Sequence, residues 1–336
     1  MKKILIHTLK GLLIVFGIGA VVYLAGPRPA QPTFPAYKGT PAASLAQLEA
    51  DLIASEAAEP GIKPGCEAKI VWADSTQKVK TPVVMLYLHG FGASREEGAP
   101  VHEHLATRFG CNLFLARMDE HGADEGDGNM AELTADSYVE SAERALSIAQ
   151  QLGDTVVIVA TSAGGALGLF LASRHPEIKA LVTWSPCIRL FSGLSGVMAG
   201  PWGLKIAQTV RGSDFNDYPY KKPVMAKYWT NHQRFEGIVQ FATFLETAMV
   251  PETFAKVKCP VFVGYYYKDE EHQDKLVSVA AMRKMFGELG TDPAQKREVA
   301  FPNAGDHIIA SPIVSQDWQG VERESAAFLA EIVGLK

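Results

Sequence analysis

The sequence lacks most of the features that settle a function at first reading. Basic residues are outnumbered, with 32 Lys and Arg against 37 Asp and Glu and a formal net charge of -5. That balance leaves no basic footprint for nucleic acid. Cysteine is scarce, with four in 336 residues. Cys66, Cys111, Cys187 and Cys259 match no zinc-ligand spacing. Export would allow them three complete pairings, and four unpaired, buried thiols are the other reading. The glycine-rich stretch after Thr161 is not followed by the Gly-Lys-Ser/Thr of a phosphate loop. His102 and His104 stand two apart, so on a helix they diverge and cannot share a metal. The acidic stretch Asp119–Glu132 lacks the alternating ligands of a calcium loop and reads as solvated. Neither a metal nor an organic cofactor is expected. No internal repeat is found.

What is present is a globular composition, 47% hydrophobic and 21% charged. The apolar run Ile4–Gly26 follows Lys2 and Lys3 and is broken only by His7, Thr8 and Lys10. As a helix it would be roughly 34 Å long, enough to cross a hydrocarbon core of about 30 Å. Residues 1–26 therefore read as a transmembrane anchor or a signal segment. The leading lysines place the N-terminus in the cytoplasm and the remaining chain outside it, on the periplasmic or extracellular face. Cleavage of the segment would give a secreted protein instead. Residues 27–43 carry Pro27, Pro29, Pro32, Pro35 and Pro41 and read as a stiff linker.

Residues 44–336 form the main domain. A helix starts at the candidate cap Ser44. Beyond Gly65, apolar runs of strand length alternate with helical periodicities. Strands are predicted at Lys69–Ala73, Val83–Leu88, Asn112–Ala116, Thr155–Ala160, Ala180–Trp184, Val261–Tyr267 and Arg297–Phe301. Helices are predicted at Glu97–Phe109, Ala135–Leu152, Ala163–Ser173, Val277–Leu289 and Asp317–Val333. This alternation predicts an α/β fold, a mostly parallel central sheet with helices on both faces. Residues 186–257 break the rhythm with aromatic helical stretches and no clear strand. They read as a helical cap insertion whose aromatic residues are mostly core, a few lining an apolar acyl pocket.

Three stretches carry chemistry. In "VVIVATSAGGALGLFLA" Ser162 lies on a sharp turn between a strand and a helix, with Ala160 and Gly164 two residues to either side. Small residues there let neighbouring backbone pass, and the turn lifts the hydroxyl above the carboxyl ends of the strands. The Ala163 amide begins the helix and is unpaired, so it can polarise an oxyanion. In "VVMLYLHGFGAS" a strand ends in His89-Gly90-Phe91-Gly92, where the Phe91 amide offers a second oxyanion donor and His89 braces the loop. In "VAFPNAGDHIIAS" His307 follows the last strand and can act as general base. The acid that would orient it is Asp274 or, nearer the strand end, Asp269.

With "LHGFGAS", "RMDEHG", "ATSAGG" and "GDHII" in this order, the chain resembles the α/β-hydrolase superfamily. Within it, the chain resembles the carboxylesterase and monoacylglycerol-lipase type. The resemblance implies Ser162 as nucleophile, His307 as base, Asp274 as acid, and Phe91 and Ala163 as oxyanion donors. It departs from that pattern at Ala160, where the first glycine of the turn is usual, and in the extra "EEHQ" between the two candidate acids. The expected activity is serine hydrolysis of small-molecule carboxylic esters with an apolar acyl chain, through an acyl-enzyme. An amidase or small peptidase, with Glu236, Glu246 and Glu252 available for an amine, is the second reading. A non-catalytic ligand-binding protein of the same fold is the third.

Overall fold

The computed structural model describes residues 2–336, with the side chains of residues 2–9, 11 and 12 outside the description. In chain order, α1 (Lys2–Leu24) and α2 (Leu45–Ala58) precede the sheet. Then come β1 (Lys69–Val71), β2 (Thr81–Leu88), α3 (Val101–Arg108), β3 (Asn112–Leu115), α4 (Ala135–Leu152), β4 (Gly153–Thr161), α5 (Ala163–Arg174) and β5 (Ala180–Trp184). An insertion follows, with α6 (Ser195–Met198), α7 (Gly203–Arg211), β6 (Phe215–Asp217), β7 (His232–Arg234), α8 (Phe235–Ala248) and α9 (Pro251–Phe254). The fold closes with β8 (Val261–Tyr265), α10 (Val279–Glu288), β9 (Lys296–Ala300) and α11 (Trp318–Glu331).

Seven strands form one sheet in the order β1-β3-β2-β4-β5-β8-β9. Only the edge pair β1–β3 is antiparallel; the pairs from β3 to β9 are parallel. Side chains alternate across a strand, and both faces are covered. Leu86, Leu88, Ile158 and Ala160 point to the side packed by α4, α5 and α10. Met85, Tyr87, Val157 and Val159 point to the side packed by α3 and α11. Each such fully buried aliphatic side chain contributes roughly 1.5–3 kcal/mol relative to exposure. The parallel strands all end on one edge, and the turns leaving that edge carry the residues singled out above.

Four expectations change. Among the described residues no helix is long and apolar enough to cross a membrane. Of the anchor expected over 1–26, residue 1 and the side chains of residues 2–9, 11 and 12 lie outside the description, and a transmembrane helix is not supported. Residues 27–43 are not a free spacer. The Thr33 and Phe34 amides donate to Asp136 Oδ1 at 2.9 and 2.7 Å, and the Phe34 ring meets Phe170 edge-on at 5.0 Å. The helix expected over 97–109 is broken at its start. Arg95–Gly98 is a 3-10 turn, and α3 begins only after Pro100, which has no N–H and disfavours helix at the residue before it. The insertion, expected without strands, holds an antiparallel ribbon of β6 and β7.

Candidate active site

Ser162 occupies the one-residue turn between β4 and α5, with φ 53° and ψ -117°. A positive φ costs a residue with a Cβ about 1–3 kcal/mol, so the surroundings must impose it. They do so through the backbone. The Ser162 amide donates to the Trp184 carbonyl at 2.9 Å, and its own carbonyl accepts from Cys187 at 2.9 Å. Gly164 is required by contact, because a Cβ there would lie 2.1 Å from the Leu88 carbonyl oxygen. Ala160, in place of the usual glycine, is sealed within β4 and accommodated there between Leu88 and Thr183 on the flanking strands.

His307 and Asp274 are brought together. His307 Nδ1 lies 2.5 Å from Asp274 Oδ2, with both side chains buried. Asp274 Oδ1 also accepts the amides of Leu276 and Val277 at 2.8 and 3.1 Å. Burial opposes its charge, but the His307 charge and hydrogen bond, helped by these amides, hold the carboxyl below its ordinary range. His307 is likewise penalised by burial, yet Asp274 carries its pKa above the ordinary value. Its Nε2 is buried and makes no hydrogen bond among the described residues. Asp269 stands elsewhere: it is exposed and pairs with His272 Nδ1 at 2.8 Å.

Two backbone amides complete the cluster. Neither the Phe91 nor the Ala163 N–H donates to a protein acceptor among the described residues. The loop that carries Phe91 is braced by His89, whose Nε2 accepts the Met118 amide at 3.1 Å. Nδ1 must then hold the proton, and it donates to the Gly90 carbonyl at 2.9 Å. Burial drives the pKa of His89 down to about 3, so it stays neutral in this role. The insertion is tied to the same loop by the Thr230 amide, which donates to the Gly92 carbonyl at 2.8 Å.

The sequence profile described as the alpha/beta hydrolase family matches residues 83–324, which includes every residue of this cluster. The chain belongs to that family. A thermostable monoacylglycerol lipase of Bacillus sp. (strain H-257) is 26% identical over 195 residues, 57% of this chain and 71% of the relative. A metagenome-derived lipolytic enzyme from a study of LipS and LipT superposes with a TM-score of 0.61 at 20% identity, covering 80% of this chain and 99% of that one. A monoacylglycerol lipase of Paleococcus ferrophilus superposes with a TM-score of 0.56 at 17% identity, covering 80% and 100%. The chain is therefore an esterase- and lipase-like alpha/beta hydrolase.

Within this alpha/beta hydrolase, three buried polar groups near the cluster escaped the sequence reading. Glu97 was placed on a regular helix; the 3-10 turn instead sends its carboxylate inward to accept the Gly90 amide at 2.6 Å. His121 stacks on Tyr138 at 5.7 Å between centroids, and Phe91 stacks on Phe241 at 4.8 Å. His121 Nε2 and the Tyr138 hydroxyl are buried without partners. The signal for His121 was its place in "RMDEHG"; nothing in the local pattern marks Glu97 or Tyr138.

Other candidates disperse. Glu236 pairs with Arg234, and Glu246 with Arg189 and Ser195. The carboxylates considered for amine capture are thus engaged elsewhere or, for Glu252, exposed on α9. His102 Nε2 bonds the Arg95 carbonyl and His104 bonds Glu322. No group of metal-ligating side chains is found among the described residues. All four cysteines are free.

Proposed function

We propose that this alpha/beta hydrolase cleaves carboxylic esters with an apolar acyl chain through a covalent acyl-enzyme. Ser162 Oγ attacks the ester carbonyl carbon and passes its proton to His307 Nε2. The oxyanion is held by the Phe91 and Ala163 amides, each such donor being worth roughly 3–4 kcal/mol of barrier. When the tetrahedral intermediate collapses, the C–O bond to the alcohol breaks and His307 returns the proton to the leaving oxygen. Water, deprotonated by the same nitrogen, then attacks the acyl-enzyme and Ser162 recovers its proton. Asp274 keeps the imidazole in the tautomer that leaves Nε2 free and stabilises its cation. The Phe91 ring, backed by Phe241 at 4.8 Å, offers an apolar side to the acyl group.

The observation that supports this reading most directly is the buried His307–Asp274 pair at 2.5 Å with an unpartnered Nε2. The lipase names of the relatives point the same way. Labelling with a fluorophosphonate tests it: the wild-type protein is expected to label once, and Ser162→Ala not at all. Equal labelling of the two proteins would refute the assignment. The proposal extends to export, supported by the apolar N-terminal segment behind Lys2 and Lys3; protease accessibility of the domain in intact cells tests that part.

A further inference from the structure

The insertion reaches the loop that carries Phe91 through a dense knot of hydrogen bonds. Phe91 and Gly92 are the central residues of a turn that the Ala93 amide closes on the Gly90 carbonyl at 3.2 Å. Gly92 takes φ 68°, and a Cβ there would collide with Gln233 Nε2 and press on the Thr230 carbonyl oxygen. Two residues of the insertion therefore lie directly on this turn. The Thr230 amide donates to the Gly92 carbonyl at 2.8 Å. The Thr230 carbonyl in turn accepts Gln233 Nε2 at 2.7 Å and the Tyr218 hydroxyl at 3.0 Å. On the preceding residue, the Trp229 carbonyl accepts Lys63 Nζ at 2.6 Å and the Tyr220 hydroxyl at 2.9 Å. Trp229 joins Ala93 and Ile308, the chain neighbours of Gly92 and His307, in one apolar cluster. Gln233, on β7, is buried. A buried amide is costly unless it is hydrogen-bonded, and this one directs its donor to the residue that grips the turn.

We propose that Gln233 is a positioning residue of this site, fixing the Phe91 amide through Thr230 and Gly92. It bonds the Thr230 carbonyl and lies against Gly92 at once, so it sets both the tether and the seat of the turn. A donor aimed at a developing oxyanion acts only in a narrow geometry, and a displacement of about 1 Å costs on the order of 10²-fold in rate. The Ala163 amide is held by α5 and owes nothing to the insertion. The Phe91 amide sits on a loop, and the insertion supplies the rigidity that the loop lacks. The insertion is thus part of the frame that aims one of the two donors, in addition to covering the site.

The proposal rests on the reading of Phe91 as an oxyanion donor, and its test is chosen to be separable from that reading. Gln233→Leu keeps the bulk of the side chain and removes its donor. Amide hydrogen exchange reads the tether without turnover. The Thr230 amide should exchange about tenfold faster in Gln233→Leu, the scale of one hydrogen bond, while the amides of β4 keep their protection. With a short-chain ester, kcat should fall by up to about 10²-fold and KM should change little. The rate ratio between that ester and its thiono analogue should shrink, because sulfur accepts hydrogen bonds poorly and the ratio reads the oxyanion donors. Tyr218→Phe removes the other side-chain bond to the Thr230 carbonyl and should move the same three readouts less far. In a folded Gln233→Leu, unchanged Thr230 exchange or an unchanged ester-to-thiono ratio would overturn the proposal. If Gln233→Leu does not fold, unchanged values in Tyr218→Phe overturn it equally. Faster Thr230 exchange in the variant, beside a wild-type protein that neither labels at Ser162 nor cleaves the ester, would uphold the tether and refute the hydrolase chemistry.

Discussion

His307 Nδ1 meets Asp274 Oδ2 at 2.5 Å, and its Nε2 is left buried without a partner. The pair lies 33 residues apart in sequence. Of the two carboxylates that the sequence offers, it engages Asp274, the favoured one, and leaves Asp269 to His272. Asp274→Asn should lower kcat by up to about 10⁴-fold, as loss of the orienting acid does in serine hydrolases. Asp269→Asn should leave turnover near wild type. Steady-state kinetics on a short-chain ester checks both, and the reverse ranking would transfer the role to Asp269.

The pH dependence of activity follows from the same pair. In the proposed reaction His307 must be neutral to accept a proton, and Asp274 raises its pKa above the ordinary histidine value of about 6.5. The acid limb of kcat/KM is therefore expected above pH 6.5, with activity rising as His307 loses its proton. The linked stability runs the opposite way. A raised histidine pKa stabilises the fold fully below about pH 6.5 and loses that contribution as pH climbs through the folded-state value. Asp274, depressed in the fold, contributes above its unfolded pKa of about 3.9 and loses it on further acidification. A pH–rate profile beside a pH series of thermal melts reads both signs.

The turn around Ser162 makes a third expectation. Gly164→Ala would press a Cβ to 2.1 Å from the Leu88 carbonyl, and neither backbone can yield without moving β2 or α5. Loss of folding or of fluorophosphonate labelling is expected. Ala160→Gly, which restores the usual glycine, should keep labelling while costing about 0.5–1 kcal/mol of stability through chain entropy. Chemical denaturation of the two variants distinguishes contact from mere smallness.

The thiols give a fourth. Cys66, Cys111 and Cys187 are buried, and Cys259 is half-buried. Burial raises the pKa of each; for Cys111 it reaches about 11 and for Cys259 about 12. An aromatic disulfide reagent should therefore react slowly with the native protein and count four thiols once it is denatured. A lower count in the denatured state would mean that disulfides form.

Much of the sheet was legible because parallel strands buried on both faces read as continuous apolar runs. Ala180–Trp184 coincides with its predicted range, and β4 and β8 agree within two residues. The chemistry was legible where it sits next to such a run, as at Ser162 and His307. It was hidden where the signal was three-dimensional. Glu97 looks like any helical glutamate until Pro100 stops the helix from starting before it. Phe34 looks like linker until Phe170 and Phe244 are placed beneath it. The place of Asp274 before Lys275-Leu276-Val277 favours it over Asp269, and the folded loop is what turns its carboxylate inward.

Two adjacent residues at the end of β5 bear a consequence for how this chain tolerates change. Trp184 holds Ser162 through its carbonyl, and Ser185 reaches the His307 carbonyl at 2.8 Å while its amide is pinned to Gly264 at 2.6 Å. Ser162 and His307, far apart along the polypeptide, are both surveyed from this single fixed mark on the central sheet. The whole insertion departs just beyond it. Segments hung from that departure can lengthen, shrink or be rebuilt for another ligand while the alignment of the two side chains stays calibrated from below.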